Sequence, residues 1–195
     1  AISHVIDLGN TIALDLSSPE VIWENITSKN RNIIRKAKKN NIQIHHTDDY
    51  SIFEHFISIY NQTMQRDNAE EYYYFKEEFY KAIHDSLKGN YQVFYATLDD
   101  QIIAVSIILY ANKQIHYHLS GSLSEYRSFA PTNLLLYEVA LWGHQQGCKT
   151  FHLGGGLGSG NDNLYKFKAA FNRNSGLQFS IGKQIFNQAL YDQLV

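Results

Sequence analysis

One lysine stands where an apolar residue is expected. In "NLYKFKAAF", Leu164, Phe167 and Phe171 recur at i, i+3 and i+7, the stripe of a helix that packs on a core. Lys168 lies four residues after Leu164, on that same stripe. Such a lysine either threads its stem past the core and keeps its ammonium in water, or faces a cleft and meets a phosphate or a developing oxyanion. Just upstream, "GGGLGSGND" supplies a glycine-rich connection. Gly155 and Gly156 suit a close approach of ligand to backbone, or equally a plain structural loop. Asn161 or Asp162 is placed to cap the helix, whose first amides suit an anion. Tyr165 on the same segment is a candidate acid or a solvent-facing ring.

Two named phosphate motifs fail here. Gly155 and Gly160 have Walker spacing, but Asn161 and Asp162 follow instead of Lys and Ser or Thr. A dinucleotide fingerprint starting at Gly156 and Gly158 needs a third glycine at position 161, which is Asn161.

Two further groups carry chemistry. His116 and His118 alternate on one face of an expected strand; either could take a proton from an ammonium acceptor, and both could equally be packed or surface side chains. With no third ligand evident, a zinc site is not expected. Lys29, Arg31, Arg35, Lys36, Lys38 and Lys39 form a cationic run without an acid, which is either a phosphate-binding patch or a solvated helix face. Cys148, the one cysteine, excludes an internal disulfide, fits a cytoplasmic address and reads as structural.

These residues need elements to position them. The 195 residues fit one domain, with 14 Tyr and 11 Phe as large packing units and only 2 Pro. A net charge of −2 argues against a surface that binds nucleic acid all over. No apolar run approaches the ~20 residues that span a bilayer. Extended segments open the chain, and a helix over 17–40 follows, with Ser17 or Ser18 as cap and Pro19 in its first turn. "IQIHH" reads as a strand, and helices are expected from Asp48 or Asp49 and from Tyr72 to Leu87. "YQVFYATL", "QIIAVSIILY" and "QIHYHLSGS" read as three strands joined by Asp99-Asp100 and Asn112-Lys113, an antiparallel meander. A long apolar helix runs from Pro131 to Gly147, then the strand "TFHL", a helix over 162–172 and the strand "LQFSIGKQIF". The buried helix must return the chain beside the meander by a crossover, which makes the fold α+β with a mixed sheet and flanking helices.

That element order resembles the GNAT acyltransferase fold. "NLYKFKAAFNRN" followed by "FSIGK" is similar to the closing signature of the Fem aminoacyltransferases, which build peptidoglycan interpeptide bridges. "SKNRNIIRKAKKNNIQI" resembles the basic helix that opens a GNAT-like unit in that family, and "APTNLLLYEVALWGHQQG" resembles the helix after the meander in the related BioF2-like acetyltransferase group. The matches span about residues 11 to 186. The family carries two GNAT-like units, and this chain looks like the second. A start at Ala1 with Met64 as the only methionine fits that expectation of a fragment whose N-terminal unit is missing.

The resemblance implies transfer of an acyl or aminoacyl group to an amine, on a cell-wall or envelope precursor such as one of peptidoglycan. Phe167 and Lys168 match the Phe-Lys pair of the reaction centre, with Lys168 neutralising donor phosphate or transition-state charge. Arg31, Arg35 and Lys36 match the basic helix and are substrate-binding candidates, as are Arg127 and Asn133 around the start of the helix after the meander. CoA-dependent GNAT enzymes bind pyrophosphate there with [RQ]-x-x-G-x-[GA]. "RSFAPT" keeps Arg127 but has Ala130 and Thr132 at the small positions, and Pro131 removes an amide. The expected donor is therefore aminoacyl-tRNA or acetyl-CoA, with no tightly bound cofactor. Two alternatives stand: a CoA-dependent N-acetyltransferase of a sugar amine or small metabolite, and a non-catalytic half that binds precursor or tRNA.

Overall fold

The computed structural model describes residues 4–194; the first three residues of the extended opening and the last residue lie outside them. Strand β1 (His4–Asp15) leads to α1 (Pro19–Asn25). Ser18 caps α1 in extended conformation, its hydroxyl accepting from the Val21 amide at 3.2 Å, with Pro19 at the first turn. The one helix expected over 17–40 is in fact two. Ile26 turns extended and Thr27 caps α2 (Ser28–Lys39). The break is held from far along the chain: the Thr27 amide and hydroxyl both donate to the Ala170 carbonyl, at 3.0 and 3.2 Å.

Next come β2 (Gln43–Thr47), α3 (Ile52–Arg66) and α4 (Glu77–Ser86). The helix expected from Tyr72 starts later, because Tyr72 is exposed and Glu71–Tyr73 makes only a 3-10 turn; Tyr80 and Ile83 are the buried residues of α4. The meander is β3 (Tyr91–Leu98), β4 (Gln101–Ala111) and β5 (Gln114–Ser122). Both of its turns have positive φ at their two central residues, 49° and 61° at Asp99-Asp100 and 50° and 63° at Asn112-Lys113. This is the turn form that matches strand twist. Helix α5 (Pro131–Gln145), β6 (Thr150–Gly154), α6 (Asn163–Ala169), β7 (Leu177–Lys183) and α7 (Gln188–Leu194) complete the chain. Helix α6 is shorter than 162–172, since the Ala170 carbonyl is turned over to Thr27 and Asn30. Strand β7 ends at Lys183, and α7 carries no buried residue to advertise it in the sequence pattern.

The seven strands lie in the order β2-β3-β4-β5-β6-β1-β7. Every pairing is antiparallel except β5 with β6, the crossover that α5 makes. One face of the sheet packs against α1, α2 and α5 through Ile22, Ile34, Leu135, Val139, Phe94, Ile108 and Phe151. The other packs against α3 and α4 through Phe53, Phe56, Tyr60, Tyr80, Val93 and Ile107. Gly121 marks how closely α3 lies on β5: a Cβ there would sit 2.9 Å from the Tyr60 backbone.

Two irregularities interrupt the sheet. Strands β5 and β6 pair only over Gln114–His116 and Thr150–His152, and then part, while β5 runs on to Ser122. At the same level the β4–β5 register shifts, Ile108 facing Tyr117 and Ile107 facing Leu119, so that His118 is the extra residue of a bulge. A split between neighbouring strands exposes backbone and side chains that a continuous sheet would cover.

Candidate active site

Lys168 reaches this split from α6. Its side chain is 8% exposed, so the stem does not thread past the core to leave the ammonium in open water. The ammonium donates to the Gly155 carbonyl at 2.7 Å and stands 5.8 Å from the centre of the Tyr117 ring. Loss of hydration pushes its pKa down to about 8, while the Asp162 carboxylate pulls the other way. The amine is therefore still mainly charged near pH 7, in surroundings that solvate it poorly. A group of that kind stabilises negative charge developing beside it.

Asp162 organises the approach to Lys168. One carboxylate oxygen accepts from the Tyr165 amide at 2.8 Å, which caps α6, and the other accepts from the Leu157 amide at 3.0 Å. These bonds hold its pKa below the ordinary carboxylate value. The glycines fit around this bracket. A Cβ on Gly155 would lie 2.8 Å from the Asn10 carbonyl, and one on Gly156 would strike the Asp162 carboxylate and the Gly160 carbonyl. Gly154 has φ +79°, and a Cβ there would sit 3.4 Å from the Lys168 Nζ. The loop is thus glycine-rich because it is packed on its own neighbours, with one carbonyl, that of Gly155, turned to the lysine.

Three imidazoles gather on the sheet beside the split. His116 and His152 are paired residues of β5 and β6, with Nδ1 atoms 3.2 Å apart and ring planes 19° from parallel. His118 lies 6.1 Å from His116 and 6.3 Å from Phe79 of α4, ring centre to ring centre. Desolvation, then His152, His118 and Lys168, push the His116 pKa down to about 4. Desolvation lowers His118, and desolvation with Lys168 lowers His152. Among the described residues no group of three or more His, Cys, Asp or Glu is placed to hold a metal ion. Across the strand from them, burial raises the Tyr117 pKa, opposed by hydrogen bonds to the Ser120 and Ser106 hydroxyls.

The other expected site residues fall in two groups. Phe167 and Tyr165 are partly buried beside Lys168 on α6, packed against the core; Phe167 meets Phe171 edge-on at 5.5 Å. The cations of the basic helix have their own contacts. Arg31 donates to the Trp23 and Glu24 carbonyls at 3.3 and 3.4 Å, closing the end of α1. Arg35 bonds Asn32 and lies 5.0 Å over the Trp23 ring, and Lys36 is exposed. Arg127 is exposed on the 3-10 turn Ser124–Phe129. The Asn133 amide donates to the Asn30 side chain at 2.8 Å, and Asn30 in turn donates to the Ala170 carbonyl at 3.4 Å, tying α5, α2 and the end of α6 together. His152 and Tyr117 escaped the sequence reading. Their signal was alternation: in "TFHL", Phe151 and Leu153 are buried, which sends His152 to the opposite face.

With this geometry in hand, comparison with known proteins gives a consistent answer. A family model described as the acetyltransferase (GNAT) domain matches residues 28–168. No curated protein sequence matches. Among solved structures, FemX superposes with a TM-score of 0.78 at 15% identity, over 95% of this chain and 63% of that one. L-PGS from Bacillus licheniformis superposes with a TM-score of 0.67 at 14% identity, over 98% of this chain and 64% of that one. An aminoglycoside acetyltransferase from an uncultured soil metagenomic sample, in complex with sisomicin, gives 0.57 at 11% identity, over 76% and 99%. At such identities the likeness is one of fold, and the chain spans less than two thirds of the first two proteins. No helix among the described residues is long and apolar enough to cross a membrane. The strand order, the split sheet and the family match agree: the chain belongs to the acetyltransferase (GNAT) domain family of acyl-transferring enzymes.

Proposed function

We propose that this chain is the catalytic GNAT-like unit of a transferase that moves an aminoacyl group from aminoacyl-tRNA to the amine of a peptidoglycan precursor in the cytoplasm. The observation that carries the reading is the buried Lys168 ammonium, held by the Gly155 carbonyl beside the Tyr117 ring and within electrostatic reach of His116 and His152. An amine that attacks an ester carbonyl there makes a tetrahedral oxyanion, and a preorganised buried cation stabilises it without reorganising water. Alignment of amine and ester across the split supplies the remaining advantage.

The start of α5 supports aminoacyl-tRNA over acyl-CoA. Pro131 has no amide hydrogen, the Ala130 amide donates to the Arg127 carbonyl at 3.0 Å, and the Asn133 amide donates to the Ala130 carbonyl at 3.2 Å. Amides already engaged make a poor pyrophosphate cradle. The alternative, a CoA-dependent N-acetyltransferase of a sugar amine or small metabolite, is favoured by exposed Arg127 beside that helix start.

The test is transfer by the full-length protein, with labelled aminoacyl-tRNA and acetyl-CoA compared as donors. Lys168→Ala should lower turnover by about 10²–10³-fold, the cost of losing one oxyanion-stabilising group. Undiminished turnover would assign this unit to binding alone, and transfer from acetyl-CoA only would establish the alternative.

A further inference from the structure

We propose that His152 and His116 form a two-ring proton relay, taking a proton from the acceptor ammonium and delivering it to water. This rests on the transferase reading above. The two residues are the last paired positions before β5 and β6 separate, so the relay begins where the cleft opens. Their Nδ1 atoms lie 3.2 Å apart in nearly parallel rings. A hydrogen bond between two imidazole nitrogens needs one donor and one acceptor, so a neutral pair holds opposite tautomers. His152 is the partly buried member and lies two residues before Gly154, beside which the Lys168 Nζ stands, whereas His116 keeps an exposed edge. That asymmetry gives the direction: His152 faces the reaction and His116 faces solvent. The charged and titratable groups around the pair are Lys168 from α6 and His118 from β5.

In the resting pair His152 carries its proton on Nδ1 and His116 on Nε2. The N–H bond of the acceptor ammonium breaks as a new one forms at His152 Nε2. The His152 Nδ1 proton crosses to His116 Nδ1, and the His116 Nε2 proton leaves to water. The freed amine lone pair attacks the ester carbon. When the intermediate collapses, the leaving oxygen takes the His152 Nε2 proton, His116 returns its Nδ1 proton to His152, and water restores the one on His116 Nε2. The second ammonium proton, acidic once its nitrogen is bonded to the carbonyl carbon, leaves to water. One proton is released per amide formed, and both rings regain their starting tautomers. Lys168 repels any charge retained on the pair, so the proton passes through.

Two measurements test the relay. In the wild-type chain labelled with 15N-histidine, NMR should show His152 protonated at Nδ1 and His116 at Nε2, with a scalar coupling between the two Nδ1 nuclei. Two Nε2-protonated rings with no coupling would overturn the relay, whether or not transfer is seen. In the full-length protein, with aminoacyl-tRNA as donor and a lysyl peptide as acceptor, His116→Gln should slow transfer about 100-fold near neutral pH. The wild-type-to-variant rate ratio should then shrink as pH rises and the acceptor loses its proton to water unaided, while both rates share the decline set by Lys168. A slower enzyme with the wild-type pH profile would show a structural role only and would also overturn the relay. Full turnover in Lys168→Ala, by contrast, would remove the catalytic reading of this unit and is told apart from failure of the relay alone, in which Lys168→Ala is slow and His116→Gln keeps the wild-type pH profile.

Discussion

A buried lysine has consequences for rate and stability that can be separated by pH. Its ammonium form is the one that meets an oxyanion, so transfer should decline as pH rises through about 8, where Lys168 loses its proton. Asp162 holds that pKa up, so Asp162→Asn, which keeps a capping oxygen but removes the charge, should move the alkaline limb of the pH–rate profile to lower pH. Stability runs the other way. Between about 8 and the ordinary 10.5, the unfolded chain holds a proton on Lys168 that the folded chain has released, so rising pH favours folding. Relative to Lys168→Met, wild type should therefore gain on the order of 1 kcal/mol across that window once solvent screening is allowed for. Denaturant melts of both proteins at pH 7 and pH 10 would read it. Lys168 was legible in the sequence because one cation interrupted an apolar stripe. His152 was not, because its meaning comes from a partner 36 positions earlier, and parallel pairing of distant strands leaves no local spacing to read.

Elements fail to follow their local pattern where another element captures their backbone. The helix pattern over 17–40 is continuous by propensity, yet Thr27 and Asn30 are drawn to the Ala170 carbonyl and the helix breaks. The meander, by contrast, was readable to within one residue, since its two-residue turns select their own conformation. Asn30 is the buried knot of this arrangement, 1% exposed, donating to Ala170 and accepting from Asn133. Asn30→Ala leaves the Asn133 amide short of a partner and should cost about 2 kcal/mol, read as a lower urea midpoint with unchanged slope. The glycine loop gives a second prediction. Gly156 has an ordinary φ of −81°, so a side chain is excluded there by contact and not by dihedral. Gly156→Ala must displace Asp162, and should both destabilise by about 1–3 kcal/mol and reduce transfer by releasing the bracket that sets Lys168.

At the scale of the whole molecule, the two ends of the chain meet in one sheet: β1 lies between β6 and β7. The sequence showed apolar extended segments at both ends but nothing of this closure, because alternation tells which side of a strand is buried and not which strand lies beside it. The inner half of β1 is core, with Ile12, Ala13 and Leu14 buried against β6. Its outer half pairs with β7, whose residues are nearly all exposed, Phe179 among them, and Phe186, Leu190 and Leu194 present apolar surface beyond it. The ribbon of outer β1 and β7 is therefore held mainly by its own ladder, while the site depends on inner β1, β6 and α6. Ending the chain at Gly176 should leave the fold and the Lys168–Gly155 bond in place, because Ser175 still accepts from Ala13 and Asn172 still donates to its carbonyl. Hydrogen exchange should then show protection lost at Val5 through Thr11 and kept at Ala13 and Leu14. Loss of protection across β3, β4 and β5 as well would mean that the ribbon supports the core, contrary to its exposure.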